Sequence, residues 1–427
     1  MNPNRVVIIG LDGVPLSMLK DLTQSGIMPH TRQIIEDGFL TSMFSSIPEV
    51  SSVAWSSIIT GSNPGEHGIF GFIDMVPGSY KTRFPNFNDL KVAPFWRQSQ
   101  GKSVVINVPS TYPVKEMNGV HISGFVSVYL NKSVQPKFLI PELERRGYRL
   151  DINFEKARQG LELFVEDLDE TLTARIKAGK YLWDYIDWQS FMFVFTGTDR
   201  LMHFLFDAYE DKDHKYHDNF LNHFSRIDQA IGEIHSKLTE NDTFIMLSDH
   251  GFERLEKDVY VNRLLASEGF LALKPNPEAK SLNIDSGTKA FALDPARIYI
   301  NQKGKYPAGS VEAEDRDACL KELESLFGSL QIEGRKVIKH IYRKEDIYTG
   351  PYIEDAADMV LVAEKGFNLK GSMTAEELTG KGPFTGKHNY DEAFLLIKNG
   401  DIVAGFENGQ PSVVDAGKLI RALVTKI

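Results

Sequence analysis

Short apolar runs alternate along this chain with stretches of 3.6-residue periodicity. RVVIIGLD (5–12) is a compact β-branched run, followed by helical patterns in SMLKDLTQSG and again after MPHT. VAWSSIITG (53–61) predicts a helix closed by Gly61, and the GSNPGEHG loop then breaks the pattern. KSVVINVP (102–109) predicts a buried strand, 164–187 a long helix, FMFVFTGTD (191–199) a strand, 219–238 an amphipathic helix and TFIMLSD (243–249) another strand. Strands alternating with helices at this spacing predict an α/β fold with a mostly parallel central sheet flanked by helices. Residues 126–165 and 252–385 break the rhythm; they are richer in Lys, Glu, Gly and Pro and read as insertions or a cap on one domain that spans 1–427.

Composition narrows the class of protein. A chain of 427 residues, 42% hydrophobic and 25% charged, can bury a large core. Its net charge of -10 argues against a surface that coats nucleic acid, although a small phosphate ester held by cations remains compatible. With Cys319 as the single cysteine, neither an internal disulfide nor a cysteine-based zinc knuckle can form. MNPNRVVIIGLDG enters a strand without a charged leader, and no run reaches membrane-spanning length, so a cytoplasmic protein without a membrane partner is expected.

In open parallel sheets, ligands collect beyond the carboxyl ends of the strands. The residues just past the apolar runs are Asp12, Asp199 and Asp249, with His203 and His250 close behind. One aspartate in such a place is ordinarily a helix cap or turn residue. Three, two of them followed by histidine, form a mixed carboxylate and imidazole set of the kind that zinc or manganese accepts. PEVSSVAWSSIITG also places Ser51 and Ser52 just before an apolar helix, where free N–H groups would face a phosphate, although a serine there is ordinarily an N-cap.

The ordered set GLDG (10–13), MPHT, PEVSSVAWSSIITGSNPGEHGI (48–69), TDRLMH (198–203), SDHGF (248–252) and GKH (386–388) resembles the type I phosphodiesterase and nucleotide pyrophosphatase family of the alkaline phosphatase superfamily. The resemblance brackets nearly the whole chain. It implies an alkaline phosphatase-like fold, hydrolysis of a small phosphate-ester or nucleotide substrate at a diester or pyrophosphate bond, and two divalent ions, zinc or alternatively manganese. It implies Ser51 as nucleophile, counting back from Thr60-Gly61. One ion would be held by Asp12, Asp249, His250 and Ser51, the other by Asp199, His203 and His388. His388 enters through the resemblance alone; by itself KGPFTGKHNYDE reads as a Gly-rich surface loop.

One position departs from the family. Many members carry an Asn beyond the HGI segment that binds a phosphoryl oxygen, and here that position is Phe72. The Ser52 backbone N–H, Lys81 or Arg83 are candidate replacements. His67 reads as a structural loop histidine, and Phe70, Phe72, Phe84 and Trp96 as packing residues that could alternatively stack on a base. A sulfatase is disfavoured because Ser51 lacks the Pro and Arg that formylglycine formation requires. A phosphomonoesterase, a phosphomutase or a non-catalytic metal-binding or phosphate-binding protein are the alternatives.

Overall fold

The computed structural model describes residues 5–274, 282–399 and 409–425. The start of the N-terminal segment (1–4) and 275–281 within the 252–385 insert therefore lie outside the described residues. The chain divides into two compact units. The first comprises 1–62, 86–253 and 388–427, and the second 63–85 and 254–387. The 126–165 segment falls in the first unit, and nearly all of 252–385 in the second.

The first unit is built on one sheet of eight strands: β1 Val6–Leu11, β2 Phe39–Met43, β3 Ser103–Val108, β4 Gly119–Ser123, β5 Val134–Gln135, β6 Ser190–Phe195, β7 Thr243–Leu247 and β8 Ala393–Lys398. They lie in the order β2-β8-β7-β1-β6-β3-β4-β5. The five central strands β7, β1, β6, β3 and β4 are parallel, whereas β8, β2 and β5 pair antiparallel to their inner neighbours. The sheet is thus mostly parallel, as the alternating pattern predicts.

The central strands read as unbroken apolar runs because both faces are covered. Along β1, Val7, Ile9 and Leu11 enter one hydrophobic cluster, while Val6 and Ile8 enter the other. Helices supply the covering layers: α1 Leu16–Gln24, α2 Ser51–Thr60, α3 Leu161–Tyr185, α4 Gly197–Glu210, α5 His217–His235 and α6 Val413–Thr425. The apolar run at 191–199 is shorter as a strand than its sequence suggests. It stops at Phe195, and Thr198 and Asp199 fall in the first turn of α4.

The register of β1, β6 and β7 fixes where chemistry can gather. Leu11 pairs with Phe195 and Gly10 with Leu247, so the three adjacent strands end level with one another. The residues succeeding these strands therefore emerge at one edge. Helix α2 is set against this sheet by Trp55, Ile58 and Ile59, which share a cluster with Val6, Ile8 and Val194. Its Gly61 cap adopts the left-handed conformation, and α6 approaches its last turn closely enough that a side chain at Gly417 would strike the carbonyls of Ile58 and Ser57.

The second unit has its own core. An antiparallel sheet in the order Ala290–Leu293, Arg297–Ile300, Met359–Ala363, Ile338–Arg343 shares a cluster with residues of the helix Arg316–Ser329, among them Phe291, Ile298, Leu320 and Phe327. Buried Arg297 ties the 63–85 segment to it, donating to Asp74 Oδ1 at 2.6 Å and to Asp294 O at 2.7 Å. Among the described residues, no helix is long and apolar enough to cross a membrane.

Gly10 sets the distance between β1 and α2, since a Cβ there would lie 2.5 Å from Trp55 Cη2 and 2.9 Å from Val194 Cγ2. Gly10→Ala is expected to cost about 1–3 kcal/mol through overpacking, visible as a lower urea midpoint for the first unit. An unchanged midpoint at unchanged slope would show that α2 is not held by this contact.

Candidate functional site

All seven residues of the expected nucleophile and metal-ligand set lie in the first unit, past the level strand ends or on the elements beside them. Asp12 follows β1, and Asp249 and His250 follow β7. Asp199 and His203 sit four residues apart on α4, one helical turn, so both face the same way. Ser51 opens α2, and His388 lies on the short strand Gly386–Asn389.

These side chains form two touching groups. In the first, the donor atoms of Asp199, His203 and His388 lie within 4.8 Å of one another. His388 Nε2 is 3.0 Å from both Asp199 Oδ1 and His203 Nε2. In the second, Asp12, Asp199 and His250 meet the same limit, so Asp199 is common to both. The rings of His250 and His388 stack with centroids 3.7 Å apart. Asp249 borders the second group: its Oδ1 accepts the Gly13 N–H at 3.0 Å, and its Oδ2 stands 3.2 Å from His250 Nε2. Ser51 Oγ lies 3.1 Å from His250 Nε2 and 3.4 Å from Asp12 Oδ1.

The hydrogen bonds decide which atoms are available. His388 Nδ1 lies 2.9 Å from Glu49 O, and His250 Nδ1 3.1 Å from Gly251 O. A carbonyl only accepts, so each Nδ1 carries the proton and each Nε2 presents a lone pair. The Nε2 lone pairs point at carboxylate oxygens, at another imidazole nitrogen and at the serine hydroxyl. Asp249 Oδ2, fully buried, has no hydrogen-bond donor among the described residues. Acceptors facing acceptors in a buried place are reconciled by a cation, and pinning a histidine through its other nitrogen is the usual way of presenting Nε2 to a metal. The residues present therefore fit a divalent ion at each group.

Charge points the same way. Burial, together with the carboxylates of Asp249 and Asp199, raises Asp12 well above the usual carboxylate range. Burial pushes Asp249 up to about 7. Burial also pushes His250 down to about 4, with His388 adding to the effect. For Asp199 burial acts upward but is outweighed by His203, His388 and Arg200, which hold it far below its ordinary value. A buried set this acidic requires positive charge, whether protons or metal.

Helix α2 contributes more than its serine. Its N-cap is Val50, and among the described residues no side chain caps the first turn, so N–H groups at the helix start are left open beside Ser51. Thr198, the first residue of the TDRLMH stretch but given no role there, ties the start of α4 to the end of β1 by donating to Asp12 O at 2.6 Å. Arg200 lies in the same stretch and is likewise given no role there; its Nη1 donates to Asp199 Oδ2 at 3.0 Å. A basic residue directly after a candidate ligand is the signal that could have disclosed it.

Phe72, Lys81, Arg83 and His67 belong to the second unit. His67 is buried, its Nδ1 accepting the Ile69 N–H at 3.2 Å. Phe70 packs edge-on against Tyr348 and Trp96 against Phe95, which are packing roles, while Phe84 is exposed.

A family model described as type I phosphodiesterase / nucleotide pyrophosphatase matches residues 6–391. Among solved structures, phosphonoacetate hydrolase from Sinorhizobium meliloti 1021 in complex with phosphonoformate is 15% identical, with a TM-score of 0.65 over 99% of this chain and 96% of that one. Human ectonucleotide pyrophosphatase / phosphodiesterase 5 is 14% identical, with a TM-score of 0.56 over 99% of this chain and 95% of its own. The murine form of that protein is 14% identical with a TM-score of 0.54 over the same shares, 99% and 95%. At these identities the likeness establishes the fold. No curated protein matches the chain.

With burial pushing Asp249 up to about 7 and raising Asp12 as well, a cation that binds here displaces protons these groups hold in acid. Zinc titrated into metal-free protein is expected to release more protons at pH 6 than at pH 8, and to bind more weakly as pH falls through about 7. Calorimetry in buffers of differing ionisation enthalpy measures the release; equal release at both pH values would exclude these carboxylates from the binding event.

Proposed function

Because the chain belongs to the type I phosphodiesterase / nucleotide pyrophosphatase family and is a hydrolase of that kind, we propose that it cleaves a phosphodiester or nucleotide pyrophosphate bond of a small substrate, with Ser51 as nucleophile. The observation that carries this reading is the place of Ser51 Oγ, 3.1 Å from His250 Nε2 and 3.4 Å from Asp12 Oδ1 at the uncapped start of α2.

In this reading Asp12, Asp249 and His250, with Ser51, would hold one divalent ion, and Asp199, His203 and His388 a second, zinc in the first instance and manganese as the alternative. Such ions, when bound, lower the pKa of the serine hydroxyl, draw charge from the phosphoryl oxygens and neutralise the leaving alkoxide. The chain's own residues do the rest. Ser51 Oγ, its proton released to solvent, attacks phosphorus; the bond from phosphorus to the leaving oxygen breaks, that oxygen takes up a proton from solvent, and a phosphoseryl ester forms. Water then attacks that ester, the bond from phosphorus to Ser51 Oγ breaks, and the serine is restored. The open N–H groups of the first turn of α2 donate to a phosphoryl oxygen, the task for which Phe72 offers no polar group.

The test is a substrate panel with zinc or manganese added: a nitrophenyl phosphodiester, a nucleotide pyrophosphate, a phosphomonoester, a phosphonate and a phosphoglycerate. The diester and the pyrophosphate are expected to be hydrolysed fastest, with monoester preference or phosphoglycerate isomerisation pointing instead to a monoesterase or a mutase. Ser51→Ala is expected to lose at least about three orders of magnitude in kcat while keeping its metal and its fold. Turnover by that variant at the parent rate would remove Ser51 from the mechanism.

A further inference from the structure

Asp199 is the carboxylate common to both groups, and its outer oxygen is held by a residue outside the ligand set. Arg200 Nη1 donates to Asp199 Oδ2 at 3.0 Å, which leaves Oδ1 at 3.0 Å from His388 Nε2 and 3.5 Å from His203 Nε2. The other arm of the guanidinium donates to Asp151 Oδ2 at 3.2 Å. Asp151 is itself fixed, with its Oδ1 accepting the Ile152 N–H at 2.9 Å. Arg175, buried on α3, clamps the backbone leading to Asp151 by donating to Arg149 O at 3.3 Å and to Leu150 O. The same guanidinium donates to Thr196 Oγ1 at 2.5 Å, just past the end of β6. The Phe125 ring covers the Arg200 guanidinium, with its centroid 3.8 Å from Cζ.

Resting on the two-ion reading above, we propose that Arg200 is a positioning residue that locks the Asp199 carboxylate toward the cation held with His203 and His388. A buried ion pair is a weak source of stability, because desolvation offsets most of its attraction. Its rigid geometry is what such a pair can supply. A planar fork can serve two carboxylates at once, one on α4 and one on the clamped 149–151 segment, with the aromatic ring stacked over it. A lysine would carry the same charge without the fork. Positioning and simple neutralisation therefore make different predictions for Arg200→Lys.

The experiment is a competition titration of metal-free protein with zinc alone against a chelating indicator, comparing parent, Arg200→Lys, Arg200→Met and Asp151→Asn, each checked for fold by its urea midpoint. The parent is expected to bind two ions. Arg200→Lys and Arg200→Met are expected to weaken one of the two binding events about 10–100-fold and leave the other within about twofold. Asp151→Asn, which keeps the Arg200 charge but loosens its anchor, should weaken the same event by a smaller factor. If the methionine variant does not fold, the other two carry the comparison. Parent-like zinc binding by Arg200→Lys, or equal weakening of both events, overturns the positioning role and leaves the proposed function standing. Parent protein that binds fewer than two ions overturns the two-ion reading and this inference with it.

Discussion

Buried negative charge is the constraint on which the rest of this structure depends. Asp12, Asp199 and Asp249 are all buried at one edge of the sheet, beside two imidazoles whose Nε2 atoms also present lone pairs. Without positive charge such a set repels itself; burial raises Asp12 and Asp249, and the neighbouring carboxylates add to it. Fixing the arrangement is the task of the scaffold, and positive charge, as protons or metal, is what reconciles it with the serine beside it.

The scaffold meets this demand through register. Strands β1, β6 and β7 end level, so three segments far apart along the chain deliver Asp12, Asp199 and Asp249 to one place. Helix α2 is then set against β1 by Trp55 over Gly10, which brings Ser51 to the same edge. Arg175, Asp151 and Arg200 extend the order outward from Asp199. Packing in the two hydrophobic layers is thereby converted into the placement of individual oxygen and nitrogen atoms.

How much of this the sequence discloses differs from residue to residue. Strands β1, β3, β6 and β7 are legible because double burial leaves unbroken apolar runs, and the acids past three of them stand out against those runs. The last residues of 191–199 misread as strand because Thr and Gly suit a strand end and a helix start equally well. The strand β8 and helix α6 escape the sequence pattern, as do the short strands of the second unit, whose antiparallel sheet leaves weaker signals. His388 sits on a four-residue strand with no apolar run, so only the family's motif order discloses it. Arg200 escapes because its partner Asp151 is 49 positions away, a pairing made by the fold.

The most direct test of the central claim is anomalous X-ray scattering from crystals of the zinc-loaded protein, recorded on both sides of the zinc edge. The account predicts two peaks: one among Asp199, His203 and His388, the other among Asp12, Asp249, His250 and Ser51. A zinc-loaded crystal with no peak at these side chains, or with zinc bound elsewhere on the chain, would contradict it.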